Sequence, residues 1–360
     1  MRVVLSGYYG FHNVGDEAIL QAIITALRKK NKDIEITVLS NDPDYTKGTY
    51  NVDAVDRWQM SEVMNAIRQA DGVISGGGSL LQDKTGMKTV PYYIVIMMIA
   101  YFFGKPFFIY AQGIGPLQRK LSQKLVKFAI SKAKYISVRD QESLQLLEKI
   151  GVRQPIDLVP DPVMGMTYKK GLNKSWLTKE GLTSPFITVA IREWPTSTNF
   201  AEKVIKALDD CAKNGQKIVF LPMHGEDDDE TSREWASRMN ADVAIFPYDA
   251  TISEKISLIG DSTLLVGMRL HALIFAAIAN TPMVGISYDP KIDSFINQID
   301  QPLIGNVNGD WTPEQLYEMI QDQLQNHQRQ ATLLKEQAKP LQQNANETAQ
   351  KVLSLINKSK

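Results

Sequence analysis

The sequence predicts an α/β protein of two successive domains, each an open parallel sheet with helices on its faces, finished by a C-terminal helical arm. Three observations carry that prediction. The chain has 360 residues, more than one core serves, since single cores stop growing at about 250–300 residues. Short apolar runs alternate with helix-like stretches in two separate series, the rhythm of strands joined by crossover helices. Between the series lies LVPDPVMGMTYKKGLNKSWLTKEGLTSP, polar, rich in Gly, Pro and Lys and without a sustained period, as a domain link is. The expected boundaries are a first Rossmann-like domain over 1–165, a link over 166–184, a second Rossmann-like domain over 185–330 and the arm over 331–360.

The first series reads RVVLSG, GDEAILQAIITALRKK, IEITVLS, SEVMNAIRQADGVISGGG, FFIYAQGIGP and YISVRD. Each strand ends in glycine or a polar residue, and open α/β sheets bind ligands at such ends. The second series runs FITVAIREW, a helix near 201–214, KIVFLPMHG, a helix near 229–240, DVAIFPYD, TLLVGMRLH and PMVGISYD. Thr312-Pro313-Glu314 opens a helix with proline in its first turn. Leu316, Ile320 and Leu324, and later Val352, Leu353 and Ile356, keep helical spacing, so the arm is expected to fold back onto the first domain.

Lys plus Arg and Asp plus Glu number 40 each, which removes the global basic field of a nucleic-acid binder and makes any anion site local. The lone Cys211 excludes an intrachain disulfide framework and suits a reducing compartment. MRVVLSGYYG is expected to be a first strand, not a signal peptide, and the protein is expected in the cytoplasm, with the inner face of the cell membrane as a place of action. The run Val90 to Phe103 is 14 residues long, short of the roughly 20 needed to span a bilayer. A buried helix is the first reading and peripheral membrane contact the second.

GYYGFHNVGDEAIL links the first strand to the first helix. Its glycines, Gly15 among them, let backbone approach a ligand at a helix N-terminus, although the spacing is not the dinucleotide fingerprint. Asn13 and Asp16 suit either capping of that helix or contact with substrate. Gly77 and Gly78, after one buried strand, and Gln112, after the next, build the same rim. Arg139 stands at a strand tip, where its fork suits carboxylate or phosphate, or an ion pair with Asp140 or another neighbour.

Arg192 and His224 follow the first two strands of the second series. His224 has the titration range of a general acid or base. The GEDDDE run after it reads as an exposed helix start. In GMRLHALIFAA a strand ends at Gly267 and a buried helix begins, bringing Arg269, Leu270 and His271 to its head. A buried arginine needs a negative partner. A ligand anion is one, drawn also by the helix dipole and free N–H groups; a buried aspartate such as Asp161 is the other. No cluster with metal-ligand spacing stands out, so neither a cofactor nor a divalent ion is expected.

Together, NVGDEAIL, GVISGGGSLLQD, AQGIGP, SVRDQESLQLLEKIGV, LVPDPV and GMRLHALIFAA resemble the polysaccharide pyruvyl transferase family, over roughly residues 1–330, and its branch in bacterial S-layer anchoring most. The resemblance implies a GT-B-like fold whose two Rossmann-like domains face across a cleft. It implies phosphoenolpyruvate as donor and, as acceptor, the N-acetylmannosamine of a lipid-linked disaccharide, converted to a 4,6-ketal with release of phosphate in building a secondary cell wall polymer. On that basis Arg269, Leu270, His271, Arg139 and Arg192 would hold phosphoenolpyruvate. His271 would act as acid and His224 or Asp16 as base, the two histidines being exchangeable. Asn13, Gly15, Gly77, Gly78 and Gln112 would face the acceptor. A nucleotide-sugar glycosyltransferase or epimerase is the alternative, distinguished by binding of a UDP-sugar in place of phosphoenolpyruvate. A non-catalytic carbohydrate-binding protein is the remote one.

Overall fold

The computed structural model describes residues 1–84, 86, 89–182 and 185–358. They form two compact units, one of residues 1–166 with 341–360, the other of residues 167–340.

In the first unit seven parallel strands, β1 (Arg2–Ser6), β2 (Glu35–Ser40), β3 (Asp53–Asp56), β4 (Gly72–Gly76), β5 (Phe107–Gln112), β6 (Tyr135–Val138) and β7 (Asp157–Leu158), lie in the order β3-β2-β1-β4-β5-β6-β7. Helices α1 (Val14–Lys30), α2 (Pro43–Tyr50), α3 (Met60–Gln69), α4 (Thr89–Phe102), α5 (Lys120–Ile130) and α6 (Gln141–Lys149) connect them. β4 and β5 are buried along their whole length, as parallel strands covered on both faces must be. α2 and the four-residue β3 escape the sequence pattern, being too short to show a period. Asp42 caps α2 through its carboxylate.

The second unit holds α7 (Lys174–Lys179) and six parallel strands: β8 (Phe186–Ala190), β9 (Lys217–Phe220), β10 (Ala244–Ile245), β11 (Leu264–Gly267), β12 (Met283–Ser287) and β13 (Leu303–Asn306). Their order is β10-β9-β8-β11-β12-β13. Between them run α8 (Phe200–Lys213), α9 (Gly225–Arg238), α10 (Ile252–Asp261), α11 (Leu270–Ala279) and α12 (Pro290–Gln298), followed by α13 (Pro313–Gln325). α9 begins about a turn earlier than the sequence pattern suggested, because the acidic run is itself its first turn. A capping box between Thr312 and Gln315 starts α13. α14 (His327–Ala345) crosses residue 340, where the division falls, and α15 (Glu347–Asn357) buries Val352, Leu353 and Ile356 and packs on α1.

The segment read as a link is part of the second unit: Gly171 and Leu172 N–H donate to Asp261 and Ser257, and the Asn173 amide donates to the Glu254 carbonyl. Its last two residues, 183 and 184, lie outside the described residues, as do 359 and 360 of the arm. Each sheet reverses its winding once, at β1/β4 in the first unit and β8/β11 in the second. Beyond the C-terminal ends of those strands an α/β sheet has a crevice no crossover helix fills.

Candidate active site

The residues singled out in the sequence fall into two groups, one at each winding reversal. In the first unit, the β1–α1 loop ends at Asn13, and Gly15 and Asp16 lie in the first turn of α1. The Asn13 side chain accepts the Gly15 and Asp16 N–H groups at 3.0 and 3.4 Å, so it does cap α1. Glu17, buried one residue further on, accepts from Gly10 N–H at 2.8 Å and from the Tyr50 hydroxyl at 2.7 Å, pinning the loop. Gly77 and Gly78 follow β4 with φ of +61° and +65°. A Cβ on Gly77 would lie 1.9 Å from Ile19 of α1, and one on Gly78 would lie 2.8 Å from Asp16 Oδ1. Close helix packing explains Gly77, whereas Gly78 lays its backbone beside the Asp16 carboxylate.

β5 ends at Gln112, after Ala111 in the left-handed region at φ +46°. The Gln112 side chain is wholly buried, and among the described residues neither its Oε1 nor its Nε2 has a hydrogen-bond partner, a state that costs about 1–3 kcal/mol. Arg139, beyond β6, is buried and compensated. Its Nη1 meets Asp161 at 2.8 Å, its Nε lies 3.7 Å from Asp140 and its Nη2 donates to Ser79 at 3.1 Å. Asp161, considered above for Arg269, thus belongs to Arg139. Nearby, an aromatic collar that sequence reading missed surrounds the buried Arg57. The guanidinium lies 4.4 Å from the Tyr92 ring centre, 5.2 Å from Phe11 and 5.3 Å from Trp58. Tyr8 stacks on Phe11, and Tyr8 and Trp58 face solvent.

The second unit gathers Arg192, His224, Arg269, Leu270 and His271 at the C-terminal ends of β8, β9 and β11, three adjacent strands. Arg192 lies 5.0 Å from the Trp194 ring and 5.2 Å from the Tyr288 ring. His224 and Arg269 are the N-cap residues of α9 and α11, and neither helix start receives a side-chain cap, which leaves its N–H groups free for an anion. Leu270 and His271 are the first two residues of α11, which is buried from Ala272 to Ala279. Arg269 Nη2 pairs with Asp228, while the buried Arg269 Nε has no hydrogen-bond partner.

Asp228 corrects the reading of the acidic run as an exposed helix start. It is 1% exposed and its second oxygen accepts the Met223 N–H at 3.1 Å, so it ties the His224 loop to Arg269. Asp229 is buried too, and nothing in GEDDDE marks Asp228 as the acid that meets Arg269 except its place facing α11. Lys255 of α10 is another such tie, donating to the Pro222 and Tyr248 carbonyls at 2.9 and 3.0 Å; burial holds its ammonium down to about 8. Burial foremost, with Arg269 and Arg192 adding to it against Asp228 and Asp227, pushes His224 below its ordinary 6.5. It is a neutral imidazole at pH 7, able to accept a proton. Among the described residues no group of three or more His, Cys, Asp or Glu is placed to hold a metal ion.

A family model described as polysaccharide pyruvyl transferase matches residues 13–290. The amylovoran biosynthesis protein AmsJ of Erwinia amylovora is 22% identical, the match covering 84% of this chain and 87% of that protein. Among solved structures, Anabaena HepE in complex with UDP-glucose aligns with a TM-score of 0.65 at 14% identity, over 98% of this chain and 99% of that one. A putative UDP-N-acetylglucosamine 2-epimerase from Listeria monocytogenes aligns at 0.70 and 14% identity, over 98% and 95%. These likenesses show the fold, GT-B-like with two Rossmann-like units and a helical C-terminal end.

Proposed function

This chain belongs to the polysaccharide pyruvyl transferase family and is a transferase of polysaccharide biosynthesis, and we propose that it moves the pyruvyl group of phosphoenolpyruvate onto a sugar hydroxyl pair. The acceptor in this reading is an N-acetylmannosamine of a lipid-linked cell-wall polymer precursor, modified as a 4,6-ketal at the inner face of the cell membrane. One observation carries the donor side: in the second unit two helix starts without side-chain caps, headed by His224 and Arg269, lie with Arg192 close to His224, and the buried Arg269 Nε has no hydrogen-bond partner among the described residues. Of the two aspartates that face this cluster, Asp228 is buried against Arg269 and Asp227 is 83% exposed to solvent, which screens its charge. A carboxylate and a phosphate on one small skeleton suit such a cluster.

Arg139 is reassigned in this reading. With Asp161 and Asp140 beside it it offers no surplus charge, so it shapes the rim of the first unit instead of holding the donor. There Gln112, Asp16 and the Gly78 backbone suit neutral hydroxyls and amides, and Tyr8 and Trp58 offer flat faces for a sugar ring.

In the reaction His271 protonates the methylene carbon of phosphoenolpyruvate, leaving an oxocarbenium centre at C2. One sugar hydroxyl bonds to C2 and gives its proton to a base. The second hydroxyl then bonds to C2 as the bond to the phosphate oxygen breaks, its proton passes to the departing phosphate, and inorganic phosphate leaves. His224 takes the role of base, because burial, with Arg269 and Arg192 adding to it, keeps its imidazole neutral and free to receive a proton at pH 7. Incubation with phosphoenolpyruvate and a panel of synthetic and lipid-linked disaccharides tests this. Phosphate release matched by a pyruvyl mass gain on one acceptor is expected; binding of UDP-sugar with no response to phosphoenolpyruvate would overturn it.

A further inference from the structure

Between Asp83 and Asp140 the chain has no Asp or Glu, although overall it balances 40 cations against 40 acids. α4 and α5 lie in this stretch and pack side by side. α4 buries Tyr93, Ile94, Met97 and Ala100 in the first core, as a buried helix should. It nevertheless leaves Tyr101 and Phe102 in solvent, Phe102 80% exposed. On α5, Leu121 and Phe128 are 67% and 56% exposed. They stand two turns apart on one side of the helix, with Lys124 between them on the same face. The Lys132 ammonium lies 5.6 Å from the Tyr101 ring and 5.8 Å from the Phe128 ring, joining the ends of both helices in one patch. Lys127 and Lys134 are exposed beside it.

A merely solvated face mixes both signs of charge and keeps few aromatic rings, and the centre of a protein–protein interface is poor in lysine. Exposed rings interleaved with lysines, on a stretch of chain without an acid, are the composition of a surface seated at lipid headgroups, where rings enter the acyl boundary and ammoniums meet phosphates. We propose that the α4–α5 face docks the protein onto an anionic lipid bilayer. It lies on the membrane without crossing it, for no described helix is long and apolar enough to span. The docking needs no substrate, so it stands apart from the transfer reaction while agreeing with a lipid-linked acceptor.

The test is sedimentation of the full chain with vesicles of phosphatidylglycerol and phosphatidylcholine, against phosphatidylcholine alone. Binding to the anionic vesicles that weakens with added salt is expected. Phe102→Ser with Phe128→Ser should lower the association constant by about a hundredfold, and Lys124→Ala with Lys132→Ala by roughly thirtyfold, with melting temperature and phosphate release from phosphoenolpyruvate unchanged. Absent binding, equal binding to neutral vesicles, or wild-type self-association that the phenylalanine variants abolish would overturn the proposal, the last by assigning the face to a second copy of the chain. Loss of vesicle binding and loss of phosphate release are separate readouts, so either reading can fail alone.

Discussion

The two winding reversals use the same parts to opposite electrostatic ends. Each presents a buried arginine at a strand tip, held by a buried aspartate: Arg139 by Asp161 and Arg269 by Asp228. In the first unit Asp140 and Asp16 add negative charge around Arg139, and the adjoining loops supply glycine backbone and an unpartnered amide. In the second unit Arg192 adds positive charge beside His224, and two helix starts are left without side-chain caps. A buried ion pair is therefore a poor guide to ligand chemistry. Its surroundings decide whether surplus charge is kept: around Arg139 two further acids cancel it, and around Arg269 a second arginine adds to it.

The largest effect expected from breaking this contrast is at Arg269. Arg269→Met should lower kcat/KM for phosphoenolpyruvate by roughly a thousandfold and destabilise the fold by about 3–5 kcal/mol, since Asp228 would be left charged and buried. Adding Asp228→Asn should recover much of the stability and none of the turnover. Arg139→Met should cost comparable stability yet leave KM for phosphoenolpyruvate unchanged; an equal rise in that KM would erase the distinction between the units.

His224 comes next. His224→Gln should lower kcat/KM by about a hundredfold. In the wild type the acid limb of the pH profile should fall below 6.5 and disappear in the variant. The sign for stability follows: the folded imidazole resists protonation, so below pH 6.5 the unfolded chain binds the proton more readily and stability falls, with no contribution above that pH. Thermal melts of both proteins between pH 5 and 8 check it, and an acid limb above 6.5 would refute the neutral-base assignment.

Gln112 gives the smallest and most diagnostic effect. Because its buried amide lacks partners, Gln112→Met should raise stability by about 1 kcal/mol while raising the acceptor KM about tenfold. A variant that is both less stable and unaltered in acceptor KM would mean that the amide serves packing alone.

Much of this was legible in the sequence because strand ends are punctuated there. GGG after β4, AQG after β5 and the R-x-H of GMRLH each mark where a buried run stops, and a buried run stops where the sheet meets its crevice. The alternation of apolar runs gave both sheets, and the helical spacing of Val352, Leu353 and Ile356 marked the buried side of α15. The short α2 and β3 were not legible, since four to eight residues hold too little period to register. Nor was α7, a six-residue helix with no period of its own, which follows three residues hydrogen-bonded to α10.

By itself the sequence determined two parallel sheets, the positions of their strand tips and the residue types placed there, because burial and turn chemistry act locally along the chain. Which charges meet was decided only by tertiary structure. Asp228 finds Arg269 across 41 residues and Asp161 finds Arg139 across 22. Aspartates in one run look alike until packing sets one of them against an arginine, and the pairing energy of a charge depends on what surrounds it in space. The different charge balance around Arg269 and around Arg139 arises from that burial.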